Sequence, residues 1–419
     1  MDLSSDDSLP ASALKHVVLR DEARLKPLAR YVNETEKTEM SDTNSETTIK
    51  PHAKRDRPHP HALAGKGARE GHRGFLACWP SRPLLIAAAF LACLRGSVDG
   101  QRAGSAASLV YDAQTSGSVP IPPSERGLQT VVAEPWFKVS EDGIVLEGAA
   151  FDRDGNLLFA DVSGKRVLRV TPEKRLSVVT TQPVGTGGLA IHKDGRVFIA
   201  AMGIFKNDGG VLAVAPDGTQ MQSIVPPEAG YVVNDLVFDA RGGFYFTDSR
   251  GTSTDPTGGA YYVSPDGKTI TPVLPHLAMA NGIALSPDGR ELWVTEFSRN
   301  LLHRVELADA ATLAPLGTAV AYQFTGPAPD SMRADADGNL YVAIYSQGRV
   351  LVFNKHGIPI GQVLLPGRDE GHHLLSTSLA IRPGTNELYI VTSDGMNGKG
   401  ATIFHARGFA QALVLYSHQ

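Results

Sequence analysis

From about residue 134 onward the chain alternates short apolar runs with tight polar turns, and the alternation recurs. Phe151 to Phe159, Ile191 to Ile199, Phe238 to Phe246, Leu285 to Val294, Ala334 to Val342 and Ile381 to Val391 each read as strand, turn and strand. In the fifth copy Asp335, Asp337 and Gly338 make the turn, and Leu340, Tyr341 and Val342 make the β-prone run after it. The turn glycines stand at 155, 195, 242, 289, 338 and 384, so they are 40, 47, 47, 49 and 46 residues apart. Further short strands recur in the second half of the repeats, at Arg166 to Val170, Gly210 to Val214, Ala260 to Val263, Leu301 to Val305 and Arg349 to Phe353. Two hairpins per repeat predict a four-stranded blade, and six copies predict an all-β, six-bladed β-propeller around a central channel. Unrelated hairpins in a sandwich are the alternative, but they need not recur at a fixed period. Leu413-Val414-Leu415-Tyr416 is expected to supply a strand that closes the ring.

The first third of the chain has no such pattern. Residues 1–73 are polar and read as a disordered extension before the propeller. Within them His52, His59 and His61 lie in a basic run; metal binding is one reading and a solvated tail the other. Residues 74–100 hold an apolar segment, Pro83 to Leu94. Its twelve residues would reach about 18 Å as a helix, short of a bilayer core of about 30 Å, so no stable membrane span is expected. A basic flank makes it resemble a signal hydrophobic region, which would export the protein to a periplasm; otherwise it is a buried or interfacial helix of a cytoplasmic protein. Phe90-Leu91-Ala92-Cys93 also resembles a bacterial lipoprotein cleavage site. Residues 101–132 read as a linker and 133–419 as the propeller.

Composition changes this picture little. Hydrophobic residues make up 42% of the chain and charged ones 20%, enough apolar sequence to bury a core. A net charge of −4 gives no general pull toward nucleic acid. The two cysteines, Cys78 and Cys93, precede the repeats, so the propeller uses no disulfide or thiolate metal site.

The candidate chemistry comes from the repeat itself. Eight residues before the turn glycine stand Glu147, Asn234, Asn281 and Asp330 in four of the six copies, with Gly187 and Ser376 (or Thr377 after a slip of one) in the other two. If this strand is innermost, the four oxygen-bearing side chains encircle the channel at one rim. Converging carboxylates repel, and a divalent cation would relieve them. Two carboxylates and two amide carbonyls are hard oxygen donors that suit Ca2+, with Mg2+, Mn2+ or Zn2+ as alternatives. Side chains that cap their own turns are the competing reading of each residue alone. His372 and His373 are candidates for a base or a substrate contact, against a structural role. His192, His303, His356 and His405 share no repeat position. Asp161, Asp248 and Glu296 follow the second strands and are expected near the other end of the channel, with structural turn roles.

Particular stretches carry a resemblance. Leu146-Glu147-Gly148, Gly242 to Asp248, Ala280 to Leu285, Pro329-Asp330-Ser331 and the run Asn339 to Gly371 make the chain from about 133 onward similar to the senescence marker protein/gluconolactonase/luciferin-regenerating enzyme family. Within it the likeness is to the bacterial drug-responsive calcium-dependent lactonases. The resemblance implies a hydrolase that opens lactone rings. It implies a metal held by Glu147, Asn234, Asn281 and Asp330, with Ser331 against the site and Asp330 also transferring a proton. Where these lactonases carry Asp, this chain has Asn234, as other branches of the family do. A second, structural Ca2+ in the lactonases aligns with the loop from Phe205 to Gly210, which would use Asn207 and Gly209; its partner loop, Pro226 to Gly230, lacks the family's Asp. The expected partner is a small-molecule lactone and not a nucleic acid. The rival readings are a non-catalytic propeller that binds a sugar, peptide or protein, and a strictosidine-synthase-like or phosphotriesterase activity on the same scaffold.

Overall fold

The computed structural model describes residues 108–111, 115–203, 208–396 and 398–419. The extension at 1–73, the apolar segment at 74–100 with Cys78 and Cys93, and His52, His59 and His61 lie outside the described residues. Those described form twenty-five strands and four short 3-10 turns, with no α-helix among them. No described helix is long and apolar enough to cross a membrane.

The strands form six separate sheets arranged as the blades of a propeller. The innermost strands are Leu146–Phe151, Gly185–Ile191, Val233–Phe238, Ala280–Leu285, Pro329–Ala334 and Leu375–Ile381. Each touches the innermost strand of the next blade, and the last touches the first, so they ring the channel. At the hairpin after each of these strands the predicted glycine has positive φ: 79°, 89°, 90°, 68°, 81° and 74° for Gly155, Gly195, Gly242, Gly289, Gly338 and Gly384. Glycine is the residue that takes this conformation without a Cβ penalty, so the spacing read from the sequence is the spacing of these turns.

Apolar faces meet between blades. Six buried clusters form, each drawn from two neighbouring sheets; Phe159 and Leu168 of blade one meet Val391 and Ile403 of blade six, for example. No blade covers both of its faces alone, which is why the repeat is stable only as a ring.

The ring is not closed by the C-terminus. Glu134–Ser140 pairs antiparallel with Ala401–Arg407 and becomes the outer strand of blade six. Trp136, Phe137 and Val139 turn toward the core between blades one and six. Leu413 to Tyr416 instead leads into a 3-10 turn, Tyr416–His418. The tail crosses the end of the channel where the glycine turns lie. Gln411 O accepts from Ala336 N, Ala412 N donates to Thr385 O, and Arg153 Nε donates to Ser417 O at 2.6 Å. Tyr416 packs against His192 and Phe238.

Within the interval expected as a linker, Pro123–Glu125 forms a 3-10 turn, and Gln129–Val132 adds a fifth strand to blade five, parallel to Pro359–Leu364. Glu125 is fully buried, beside Arg349.

Candidate metal and catalytic site

Glu147, Asn234, Asn281 and Asp330 are each the second residue of an innermost strand, so they stand at the same end of the ring. All four are buried, as is Ser331. In blade six the equivalent place, four residues before the paired strand end Ile381, is Thr377, whose hydroxyl donates to Leu146 O; Ser376 precedes it and donates its hydroxyl to Ile344 O at 2.8 Å. In blade two the equivalent residue, four before the paired strand end Ile191, is Gly187; Thr186 precedes it and donates its hydroxyl to Asp161 O at 3.3 Å.

A local irregularity shapes this end. In every blade the ladder between the first and second strands shifts register at or beside these positions. In blade three Val233 pairs with Asp248 and Leu236 with Phe246, leaving Asn234 and Asp235 opposite the single residue Thr247. Asn281 and Gly282 likewise face Thr295, and Asp330 and Ser331 face Ala343. A bulge bends the strand and re-aims its side chains. The threonines make up the lost ladder bonds. Thr247 Oγ1 accepts from Asp235 N at 3.0 Å and donates to Asn281 O at 2.5 Å in the next blade. Thr295 Oγ1 accepts from Gly282 N at 2.6 Å and donates to Asp330 O at 2.9 Å in the blade after that. One hydroxyl thus satisfies a bulge and fixes the backbone of the neighbouring candidate ligand.

The electrostatics of the site are those of carboxylates sharing a dry space. Burial, and then the charge of Glu147, push the Asp330 carboxyl well above its ordinary value, against hydrogen bonds from Ser331 N and the Asn281 side chain. Burial, and then the charge of Asp235, push Glu147 up to about 8. Each carboxylate accepts from the next backbone N–H, Gly148 N at 3.2 Å and Ser331 N at 2.9 Å. Three further oxygens around them are buried with no hydrogen-bond partner: Asn234 Oδ1, Asn281 Oδ1 and Ser331 Oγ. A buried polar atom without a partner costs about 1–3 kcal/mol, so three together need a reason. Among the described residues no three His, Cys, Asp or Glu side chains form a metal cluster. The donor set is mixed, two carboxylates with amide and hydroxyl oxygens, and such a set fits a hard divalent cation.

Other candidates fall elsewhere. His372 Nδ1 lies 3.2 Å from Asp394 Oδ2, and His373 N donates to Asp394 Oδ1 at 2.5 Å. His373 borders a cavity of about 230 Å3 on the outer strands of blade six, beside Trp136, Lys138 and Phe404, and no candidate ligand lines it. Asp161, Asp248 and Glu296 are not at the far end of the channel. Their pairing with Leu146, Val233 and Ala280 sets them at the same end as the candidate ligands, because the first two strands of each blade are antiparallel. There they anchor connecting segments, through Arg166 at 2.9 Å, Arg250 at 2.7 Å and His303 at 2.8 Å. Asn207 of the suggested second calcium loop lies outside the described residues; Gly209 N donates to Tyr231 O at 3.0 Å.

Two residues that the repeat spacing did not select belong to this neighbourhood. Asp235 is fully buried, and its charge acts on both Glu147 and Asp330. The signal was available: the residue after the candidate position is Gly148, Gly188 and Gly282 in three copies, but Asp235 in the third. Tyr345 is the other. Its phenol is pushed up to about 12 by burial, then by the charges of Asp330 and Glu147, and its ring meets Phe297 edge-on at 5.5 Å.

Comparison with known proteins bears on the fold and the family. A model of the SMP-30/Gluconolactonase/LRE-like region matches residues 145–394, from the first innermost strand to the last blade. The protein called Lactonase drp35 in Staphylococcus aureus (strain USA300) is 47% identical over 317 residues, 74% of this chain and 98% of that protein. Its namesake in Staphylococcus saprophyticus is 49% identical over 313 residues, 74% of this chain and 97% of that protein. Among solved structures, the calcium-binding protein regucalcin from Agrobacterium tumefaciens superposes with a TM-score of 0.54 at 20% identity, over 68% of this chain and 99% of that one, a likeness of fold. The repeat, the ring and these matches together make this chain a member of the SMP-30/gluconolactonase/LRE-like family.

Proposed function

We propose that the chain is a lactonase, a hydrolase that opens cyclic esters, and that its active site is the rim bearing Glu147, Asn234, Asn281, Asp330 and Ser331. Relatives 47% and 49% identical over nearly their whole length bear the name lactonase. The observation that carries the assignment of the site is the set of three partnerless buried oxygens beside two buried carboxylates. Their chemistry favours Ca2+ over softer ions, with Glu147, Asn234, Asn281 and Asp330 as ligands and Ser331 Oγ beside them. A cation held there supplies a Lewis acid for the lactone carbonyl and its developing oxyanion.

The protein's own groups do the rest. The Asp330 carboxylate takes a proton as water adds to the carbonyl carbon, and returns it to the ring oxygen as the ring C–O bond breaks. The product is the open hydroxy acid. Burial raises the Asp330 carboxyl above its ordinary value, in the direction that favours its holding a proton. The threonine-fixed backbone of Asn281 and Asp330 holds their side chains in place before substrate arrives.

Hydrolysis of dihydrocoumarin tests the reading. It should cease when the protein is stripped with a chelator and return with Ca2+. Asp330→Asn should keep the fold and lower turnover by about 10²–10⁴-fold. Full turnover by that variant, or activity indifferent to chelation, would overturn the assignment.

A further inference from the structure

One partly buried charged contact beside the candidate ligands in the chain lies outside their set. Oδ2 of Asp235, the residue after Asn234, is 3.0 Å from Nη1 of Arg333, three residues beyond Asp330. Arg333 therefore reaches from blade five across to blade three. Its Nη2 also lies 3.5 Å from Ala149 O of blade one, two residues beyond Glu147, and Nη1 donates to Met332 O at 2.6 Å. The second Asp235 oxygen accepts from Leu236 N at 2.9 Å. Room for this carboxylate exists because residue 188 is glycine: a Cβ there would collide with Asp235 Oδ1. One guanidinium thus ties three blades together, one layer deeper in the channel than the candidate ligands.

We propose that Asp235 and Arg333 are positioning residues that form a charge-paired floor beneath the cation site, Arg333 holding the Asp235 carboxylate away from the ion. The inference rests on the cation reading given above. With the floor paired, the three carboxylates Glu147, Asp330 and Asp235 and the one guanidinium leave a formal charge that just balances a divalent ion. Break the pair on one side and the balance moves in a known direction. Loss of the Asp235 charge leaves Arg333 uncompensated beside the ion and repels it. Loss of the Arg333 charge leaves a third carboxylate free to attract it. A pair that served only to brace the blades would weaken binding whichever side was lost.

The test is a titration of the chelator-stripped full chain at pH 8 with Ca2+ and, as a trivalent probe, Tb3+. The parent, Asp235→Asn, Arg333→Met and the double variant are compared. Calcium affinity should fall at least tenfold in Asp235→Asn, rise at least threefold in Arg333→Met, and return to within threefold of the parent in the double variant. The loss in Asp235→Asn should be larger for Tb3+ than for Ca2+, since the repelled ion carries more charge. Weaker calcium binding by Arg333→Met, equal losses for the two ions, or a double variant no better than Asp235→Asn would overturn the floor and leave a brace. If one single variant fails to fold, the sign of the change in the other and the recovery in the double variant still decide. A parent that binds neither ion would sink the cation reading itself, and that failure shows before any variant is compared.

Discussion

Nη1 of Arg349 lies 2.5 Å from Oε2 of Glu125, and each side chain is 1% exposed. Tyr322 donates its hydroxyl to Glu125 Oε1 at 2.7 Å, and Gln362 Nε2 donates to Glu125 O at 3.2 Å. Blades four and five are thereby joined to the turn that precedes the first strand of the fold. Removing one member of a buried ion pair strands the other without solvent or counter-charge. Glu125→Ala is expected to cost about 3–5 kcal/mol of stability in urea unfolding. Glu125→Leu combined with Arg349→Met should recover most of the loss, because neither charge then remains to be desolvated. A single variant as stable as the parent would show that this contact does not hold the segment.

Tyr416 fastens the C-terminal tail over the turn end of the channel. Its ring lies 5.0 Å from His192 and 5.5 Å from Phe238, with the Lys193 ammonium 5.4 Å from its centroid. Gly242 leaves space for the hydroxyl, which a Cβ would contact at 2.6 Å. Tyr416→Ala should lower stability by about 3–5 kcal/mol, as truncation of a buried aromatic does, and a shifted unfolding midpoint measures it. Lactone turnover at 25 °C should persist, since the candidate ligands lie at the opposite end of the innermost strands.

Asn234 contributes an amide where a carboxylate would add charge. Its Nδ2 lies 3.7 Å from the Met202 sulfur, and its Oδ1 has no partner. Asn234→Asp should tighten calcium binding by about tenfold or more, because affinity follows the charge of the ligand set. Calorimetric titration of the stripped protein reads the change. Unaltered affinity would place Asn234 outside the cation site.

Glu296 sets part of the acid limb of stability. Burial pushes its carboxyl up, but hydrogen bonds from His303 and Ala278 N, with the charges of His303 and Arg299, outweigh burial and hold it below its ordinary 4.5. A depressed folded value contributes stability above the unfolded value and loses it as pH falls through the folded one. The parent should therefore lose stability from about pH 5 downward. Glu296→Gln should be less stable at pH 7 and show a flatter decline between about pH 5 and pH 3. Parallel pH profiles for the two proteins would refute this.

Much of the architecture could be read directly along the chain. Six glycine turns at near-equal spacing give six blades, and the residue eight positions before four of them gives Glu147, Asn234, Asn281 and Asp330. Such features are local: a turn needs its glycine, and alternation needs only a strand's two faces. The count of eight passes over Asp235 because it samples one residue per copy, whereas the bulge presents two. The expectation for Asp161, Asp248 and Glu296 failed for a related reason. Distance along the chain is not distance along the channel, because an antiparallel hairpin returns to the level from which it started.

The sequence by itself determined the repeat, its turns and the residue types at the rim, since each depends on neighbours within about ten positions. The tertiary structure alone decided which strand closes the ring, where the C-terminal tail lies, and that Arg333 would meet Asp235. Closure joins Glu134–Ser140 to Ala401–Arg407, and Arg333 meets Asp235 across 98 residues. Nothing in either member of such a pair names its partner. The choice is made by which faces can be buried and which charges can be paired once six blades share one axis.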